Sequence, residues 1–221
     1  MKICAISDIH GNLIDIPECD VLCITGDIVP LDIQNKSNET RHWFTFDFAE
    51  WVKDLKCDKV IIIPGNHDLY LEECYNTDKA VKFKQDLKYV TRDKLELLID
   101  ELYEYNGITF YGTPWINQIG FAKRWAFELT KYEYDEPVDI YENIPKCDIL
   151  LTHDNPNYNG RLWLHCHDKY KHHFFGHWHE GRSYGHLNQY NCSILTNYYK
   201  VYNDLKIVTI EINKDKKDDE D

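Results

Sequence analysis

The sequence has no apolar run approaching the roughly 18 residues that a membrane-spanning helix requires. It also opens without a signal-peptide pattern, because Met1-Lys2 runs directly into Ile3-Cys4-Ala5-Ile6 and then into charged residues. The expectation is a soluble, cytoplasmic protein with no membrane partner. Its eight cysteines (Cys4, Cys19, Cys23, Cys57, Cys74, Cys147, Cys166 and Cys192) include no C-x-x-C pair and fall short of the density of a secreted disulfide scaffold. Several lie inside apolar runs, where a free thiol behaves as a small buried hydrophobe, so reduced side chains are expected. His165-Cys166-His167 carries metal-binding residue types, but a thiolate metal site usually needs more cysteine partners, and the tripeptide reads as a surface or rim feature.

A concentrated basic block is missing too. The 38 acidic residues outnumber the 25 basic ones, for a formal net charge of -13. Nucleic-acid binders normally present a basic face to phosphates. Long-range repulsion opposes a large polyanion, whereas a small phosphorylated substrate drawn to a local dication is compatible with this charge. Neither a linker-like stretch nor an internal repeat interrupts the 221 residues, and their 43% hydrophobic content is enough for a real core. One domain over residues 1–213 is expected, followed by a charged, disordered tail from Lys214 to Asp221 (KDKKDDED) that contains no apolar residue.

What the chain does have is a series of short, apolar, β-branched runs. Strands are predicted at Lys2-Ser7, Val21-Thr25, Val60-Ile63, Ile108-Tyr111, Ile149-Thr152, His173-Phe175, Ser193-Thr196 and Leu205-Ile212. Between Thr40 and Lys56, Phe44, Phe48, Trp51, Val52 and Leu55 recur at helical spacing with charges on the other face, which predicts an amphipathic helix. Further helices are predicted from Leu69 to Leu87, Phe121 to Tyr132 and Val138 to Asn143. Strands and helices interleave, so the class is α/β, with the later strands partly antiparallel.

Each acidic or histidine motif directly follows a predicted strand. Asp8-Ile9-His10 follows the first, Gly26-Asp27 the second and Gly65-Asn66-His67-Asp68 the third; Thr152-His153 and Gly176-His177-Trp178-His179 follow two later ones. In open α/β sheets, ligands bind outside the carboxyl ends of strands, so five strands converge on one rim. Carboxylate, imidazole and amide oxygen together suit borderline or hard divalent cations. If Asp27 bridges, Asp8, His10, Asp27 and His179 hold one ion and Asp27, Asn66, His153 and His177 the other, and two ions about 3.5–4 Å apart can clamp a phosphoryl group. A hydroxide shared by the two cations is then available as nucleophile at neutral pH, and no serine, threonine or cysteine stands in a motif with a neighbouring base to require a covalent intermediate. His67 is left over from the ligand set, and Asp68 follows it as a candidate orienting carboxylate. Asn12 is a candidate phosphate contact and Trp115 a candidate substrate wall. The other histidines, namely His42, His165, His167, His172, His173 and His186, read as structural or surface residues.

These blocks, D-x-H, G-D, G-N-H-D, a lone histidine after a strand and G-H-x-H, resemble in type and order those of the calcineurin-like metallophosphoesterases, from Asp8 to His179. The resemblance implies a four-layer α/β/β/α sandwich of two mixed sheets flanked by helices, two divalent metal ions divided as above, and His67 as the group that stabilises or protonates the leaving oxygen. Mn²⁺ is the first choice of ion, with Fe, Zn²⁺, Ni²⁺ and Mg²⁺ as alternatives. Ile6-Ser7-Asp8-Ile9-His10-Gly11, Gly112-Thr113-Pro114-Trp115 and Leu151-Thr152-His153 look most like the small metallophosphoesterase-domain branch. In that branch cyclic nucleotides are accepted, and Gly26-Asp27-Ile28-Val29-Pro30 lacks the Arg-Gly that protein phosphatases carry after the second block. The expectation is a phosphodiesterase acting on a small, nucleotide-like substrate; the alternatives are a phosphomonoesterase, on nucleotides or on proteins, and a catalytically silent metal-binding scaffold.

Overall fold

The computed structural model describes residues 1–120, 124–129, 140–180, 184–186, 188–205 and 207–212. In chain order, the described strands are β1 (Lys2–Ile6), β2 (Val21–Thr25), β3 (Lys59–Ile63), β4 (Leu95–Leu97), β5 (Glu101–Tyr105), β6 (Ile108–Thr113), β7 (Ile116–Asn117), β8 (Glu128–Leu129), β9 (Cys147–Thr152), β10 (Tyr170–Phe175), β11 (Tyr184–His186), β12 (Gln189–Asn191) and β13 (Val208–Glu211). The α-helices are α1 (Ser37–Trp43), α2 (Ala49–Asp54), α3 (Leu69–Tyr75), α4 (Lys79–Val90) and α5 (Gly160–Cys166). One sheet has the order β13-β1-β2-β3-β4, parallel except for β13. The other has the order β11-β12-β10-β9-β6-β5, parallel at its centre and antiparallel at both edges.

The alternation of side chains along a strand explains why the two sheets stack. Ile3, Ala5, Val21, Cys23, Ile61 and Ile63 point from the first sheet onto Phe110, Ile149, Leu151 and Phe174 of the second. Their neighbours Cys4, Ile6, Leu22, Ile24, Val60 and Ile62 face the helices, where Phe44, Phe48 and Val52 are fully buried. On the far side of the second sheet, Tyr111 and Leu150 meet Tyr141, Leu162 and Cys166. Helices, sheet, sheet and helix make the four layers expected. Strands covered on both faces must be apolar throughout, which is why β2 reads Val-Leu-Cys-Ile-Thr with no alternation and is buried at every position.

Several local expectations need correction. The helix predicted from Leu69 to Leu87 breaks into α3 and α4 at Asn76-Thr77-Asp78, because Thr77 Oγ1 donates to the Glu73 carbonyl and accepts from Lys79 N, competing with the helical ladder. The segment predicted from Thr40 to Lys56 forms α1 and α2 joined by a π turn over Phe44–Phe48, and the turn keeps both phenylalanines on the buried face. Of the helix predicted over 121–132, the described residues contain β8 instead, with the buried Glu128 accepting from Ile119 N and Trp125 N; residues 121–123 and 130–132 lie outside the described residues, as does the tail over 214–221. Residues 140–143 form a single 3-10 turn. Ser193-Thr196 makes only isolated bridges, from Ser7 to Ser193 and from Leu195 to Val201, because Asn191 Oδ1 takes the Ser193 N–H.

The inter-sheet layer should be intolerant of truncation. Phe174→Ala is expected to cost about 3–5 kcal/mol by urea unfolding, whereas Tyr89→Ala, at an exposed helical position, should stay within about 0.5 kcal/mol.

Candidate metal centre

The carboxyl ends of β1, β2, β3, β9 and β10 lie along one rim, and each of the seven expected ligands is the second, third or fourth residue after its strand, or the first in the case of His153. The turns are tight enough that Asp8, His10, Asp27 and His177 adopt φ of 54°, 41°, 52° and 68°, a left-handed conformation that non-glycine residues rarely take. Two glycines make the close approach possible. Gly26 has φ of 100° and a Cβ there would strike the His153 ring and Gly65; at Gly176 a Cβ would collide with Ser7 and the Asp8 carboxylate.

The side chains converge. His10 Nε2 lies 3.6 Å from Asp27 Oδ2, while His153 Nε2 lies 3.4 Å from Asp27 Oδ1, so the two oxygens of one carboxylate face different histidines. His179 Nε2 is 3.5 Å from Asp8 Oδ1. Asn66 Oδ1 lies 3.0 Å from His153 Nε2 and 2.9 Å from His177 Nδ1. His153 and His179 each turn Nδ1 to a backbone carbonyl, Thr25 O at 2.7 Å and Thr196 O at 3.1 Å, which places the proton on Nδ1 and leaves Nε2 free for a ligand. The seven residues expected to bind metal therefore meet around one cleft.

Their electrostatics fit a cation. Burial alone would push the Asp27 carboxyl up, but His153, His67 and His10 around it hold it well below the ordinary range. Burial also resists charge on His153, yet Asp27 and Asp8 push this imidazole up to about 10. A field that draws a proton so strongly draws a divalent ion as well. His10 is buried with neither ring nitrogen hydrogen-bonded among the described residues, an arrangement that a ligand explains. Ligand atoms of Asp8, His10 and His179, of Asp8, Asp27 and His153, and of His10, Asp27 and His67 lie within 4.8 Å of one another in each trio. The nitrogen and oxygen donor set fits borderline or hard divalent ions.

His67 borders the same cleft. Its Nδ1 meets Gln34 Oε1 at 2.6 Å, its Nε2 lies 4.0 Å from Asp27 Oδ2, and burial pushes it down to about 4. Asp68 does not touch this ring. Its fully buried carboxylate accepts from Gly65 N (2.7 Å), Ile28 N (3.0 Å) and Val29 N (3.0 Å), lashing the loop after β2 to the loop after β3. The two expected substrate residues are not brought into the cleft. Asn12 donates to the Ile9 carbonyl and closes its own turn, and Trp115 donates from Nε1 to Asp100 with its ring edge-on to Phe127. The cleft, of about 250 Å³, is walled instead by Ile119, Trp125, Asn197 and Tyr199. The Trp125 ring lies tilted against His67 with ring centroids 4.6 Å apart, and Tyr199 sits edge-on to His10 and His179. Trp178 turns away from the ligands to stack on Tyr158 at 4.2 Å. Ile119, Trp125, Tyr199 and Gln34 directly follow no predicted strand, so sequence pattern gave no signal for them, whereas Asn197 directly follows the run predicted at Ser193-Thr196 and could have been found there.

The remaining histidine features have plain roles. Cys166 is buried in α5 while His167 stacks on Trp163, so the His-Cys-His tripeptide does not converge, and His173 is a buried residue bonded to Thr152 Oγ1.

The calcineurin-like phosphoesterase family profile matches residues 1–181. The chain belongs to that family, whose members are hydrolases acting on phosphoric ester bonds. Among curated proteins it is similar to UPF0046 protein T07D4.2 of Caenorhabditis elegans, with 26% identity over 244 residues covering 92% of this chain and 58% of that protein. It is also similar to human metallophosphoesterase domain-containing protein 1, with 29% identity over 170 residues covering 68% of this chain and 47% of that protein. Both agree with the branch read from the motifs, and the chain spans about half the length of these curated relatives. A solved structure superposes with a TM-score of 0.54 at 10% identity over 89% of this chain and 91% of its own, which shows the shared fold.

The carboxylate of Asp68 generates a prediction separate from metal binding. In Asp68→Asn one of the two oxygens becomes an amide NH2, which must face backbone N–H groups donor to donor, Gly65 in one orientation and Ile28 and Val29 in the other. A loss of about 1–3 kcal/mol is expected in chemical unfolding with a chelator present; an unchanged midpoint would show that the two loops hold without this carboxylate.

Proposed function

We propose that the protein is a dinuclear metal-dependent phosphodiesterase acting on a small nucleotide-like ester. The observation that carries this reading is the Asp27 carboxylate, whose two oxygens each approach a different histidine, Oδ1 facing His153 and Oδ2 facing His10. That is the disposition of a bridging ligand. Asp8, His10, Asp27 and His179 would hold one ion and Asp27, Asn66, His153 and His177 the other. When bound, such ions acidify water and neutralise phosphoryl charge.

The chain's own residues do the rest. Thr25 O and Thr196 O fix the tautomers of two ligand histidines, and Asp68 keeps the Asp27 and Asn66 loops in register. His67, held through Nδ1 by Gln34, presents its other nitrogen to the cleft, where it stabilises or protonates the leaving oxygen. A phosphoryl anion beside it favours the protonated form that burial alone disfavours. Trp125 and Tyr199 line the cleft, and aromatic walls suit a nucleobase or another planar ester arm. At the positions after Asp27, where protein phosphatases carry Arg-Gly, this chain has the fully buried Ile28 and Val29, which favours a small substrate over a phosphoprotein.

The reading is tested by measuring metal content and by assaying bis-p-nitrophenyl phosphate, p-nitrophenyl phosphate and cyclic and linear nucleotides with Mn²⁺, Mg²⁺, Zn²⁺ and Ni²⁺. About two metal equivalents per chain and faster diester turnover are expected. Monoester turnover alone would move the assignment to a phosphomonoesterase, and bound metal without any turnover would make the protein a scaffold.

Two variants separate positioning from metal binding. His67→Ala should retain both metals and lose about 10²–10⁴-fold in kcat. Gln34→Ala should lower kcat less, with metal content again unchanged. Full activity in His67→Ala at normal metal content would remove this residue from the mechanism.

A further inference from the structure

The first sheet has a second feature at its other end, where β1, β2 and β3 begin. An open cleft of about 780 Å³ lies there, lined in part by Lys2, Cys19, Lys56 and Cys57. The parallel register of β2 and β3 sets Val21 opposite Lys59. The same pairing continues outward beyond the strands, with Cys19 N donating to Lys56 O at 3.1 Å and Asp58 N to Asp20 O at 3.0 Å. Counting back two residues on each segment places Cys19 opposite Cys57. Neighbouring strands lie about 4.8 Å apart, inside the window of about 4.4–6.8 Å between Cα atoms that a disulfide spans.

The side chains follow the backbone. Cys4 and Cys19 belong to one buried cluster and Cys57 packs against it, and Cys4 Sγ lies 3.5 Å from Thr209 Oγ1. Cys19 interacts with both Cys57 and Cys4. Cys4 is fully buried, Cys19 is 8% exposed and Cys57 is partly open to solvent, while the other five cysteines are all buried. Of the eight, Cys57 is the one that a dissolved reagent meets first.

The environment divides their roles. The hydrogen bond from Cys19, aided by the charge of Lys94, holds the Cys57 thiol below the ordinary thiol range, against burial and the opposing charge of Asp58. Lys94 is fixed in place because its Nζ donates to the Lys53 and Leu55 carbonyls. For Cys19, the bond with Cys4 favours the thiolate, but the bond it gives to Cys57 and its burial outweigh this and push it up to about 11. Cys57 therefore has the thiolate character and access of a nucleophile, with a protonated thiol waiting beside it.

We propose that Cys57 and Cys19 form a hydroperoxide-reactive dithiol, in which Cys57 is the nucleophile, Cys19 resolves it, and a disulfide closes across the starts of β2 and β3. The Cys57 thiolate attacks one oxygen of a hydroperoxide; an S–O bond forms, the O–O bond breaks, and hydroxide or alkoxide leaves. The Cys19 sulfur then displaces the sulfenic oxygen, which departs as water with the Cys19 proton as the S–S bond forms. The two sulfurs lose two electrons and the peroxide gains them. Both sulfurs lie at the rim opposite the metal ligands, so the reaction does not use the proposed phosphoesterase site.

Full-length protein treated with hydrogen peroxide should lose about 2 Da in intact mass, and non-reducing peptide mapping should join the Cys19 and Cys57 peptides. In Cys19→Ser the sulfenic acid should persist at Cys57 and be trapped by dimedone, and Cys57→Ser should show neither product. Without any substitution, limited iodoacetamide should label Cys57 at least tenfold faster than any other cysteine. This last measurement decides the matter if either variant misfolds. A crosslink mapped to Cys4 and Cys19, retention of the full mass after peroxide, or equal alkylation of Cys57 and the buried thiols would each overturn the proposal.

Discussion

One buried hydrogen bond between the two sheets governs the site. His153, the first residue after β9, turns Nδ1 to the carbonyl of Thr25, the last residue of β2, at 2.7 Å and with no solvent access. That bond fixes which ring nitrogen carries the proton, and so aims Nε2 at Asp27 and Asn66. It also fixes how far the second sheet slides over the first, because the apolar layer between them is non-directional and a stack of aliphatic side chains alone would tolerate other offsets. Ser7 N to Cys192 O and the pair of bonds from His177 N to the Asp8 carboxylate repeat the constraint along the same rim. The convergence of the proposed metal ligands is in this sense a by-product of how the sheets are registered.

The arrangement is held against local preference. Four of the seven proposed ligands have left-handed backbones, each costing of order 1–3 kcal/mol. Two buried carboxylates, Asp8 and Asp27, share the same small volume. What offsets these costs is spread around the site rather than in it: the inter-sheet layer of Ile, Val and Phe, the cover of Phe44, Phe48 and Val52 on the helical side, and the Asp68 carboxylate saturated by three backbone N–H groups. Strained and electrostatically crowded residues resting on a rigid apolar frame are what a preorganised site requires.

The same contrast explains what could be read in the sequence. Asp8, Asp27, Asn66, His153 and His177 were legible because each ends an apolar run of strand length, so that strand prediction and site prediction are one inference. The four layers followed from the family resemblance and agree with strands such as β2 that are apolar on both faces. Trp125, Tyr199 and Gln34 were not legible. They reach the cleft from loops whose path depends on tertiary contacts such as Glu72 accepting from Phe127 N and Thr196 N donating to the Lys200 carbonyl, and no periodicity encodes such paths. Trp115 misled for a physical reason: it follows a strand as the ligands do, but Asp100 offers its indole N–H a partly buried partner and the ring packs against the core. The break between α3 and α4 was present in the sequence as Asn-Thr-Asp and was outweighed there by the run of helical spacing on either side.

The His153 to Thr25 bond joins residues 128 positions apart. A ribosome delivers the N-terminal part of the chain first, so Asp8, His10, Asp27 and Asn66 exist for a time with no partner from β9 or β10. Two carboxylates, one imidazole and one amide would hold a cation weakly, and the proposed ions would gain their imidazole-rich enclosure only after residue 179 has emerged and the second sheet has docked. Metal capture would therefore be coupled to synthesis of β9 and β10: a shorter nascent chain would stay nearly metal-free, and the ions, once enclosed, would act as a latch that resists separation of the two sheets.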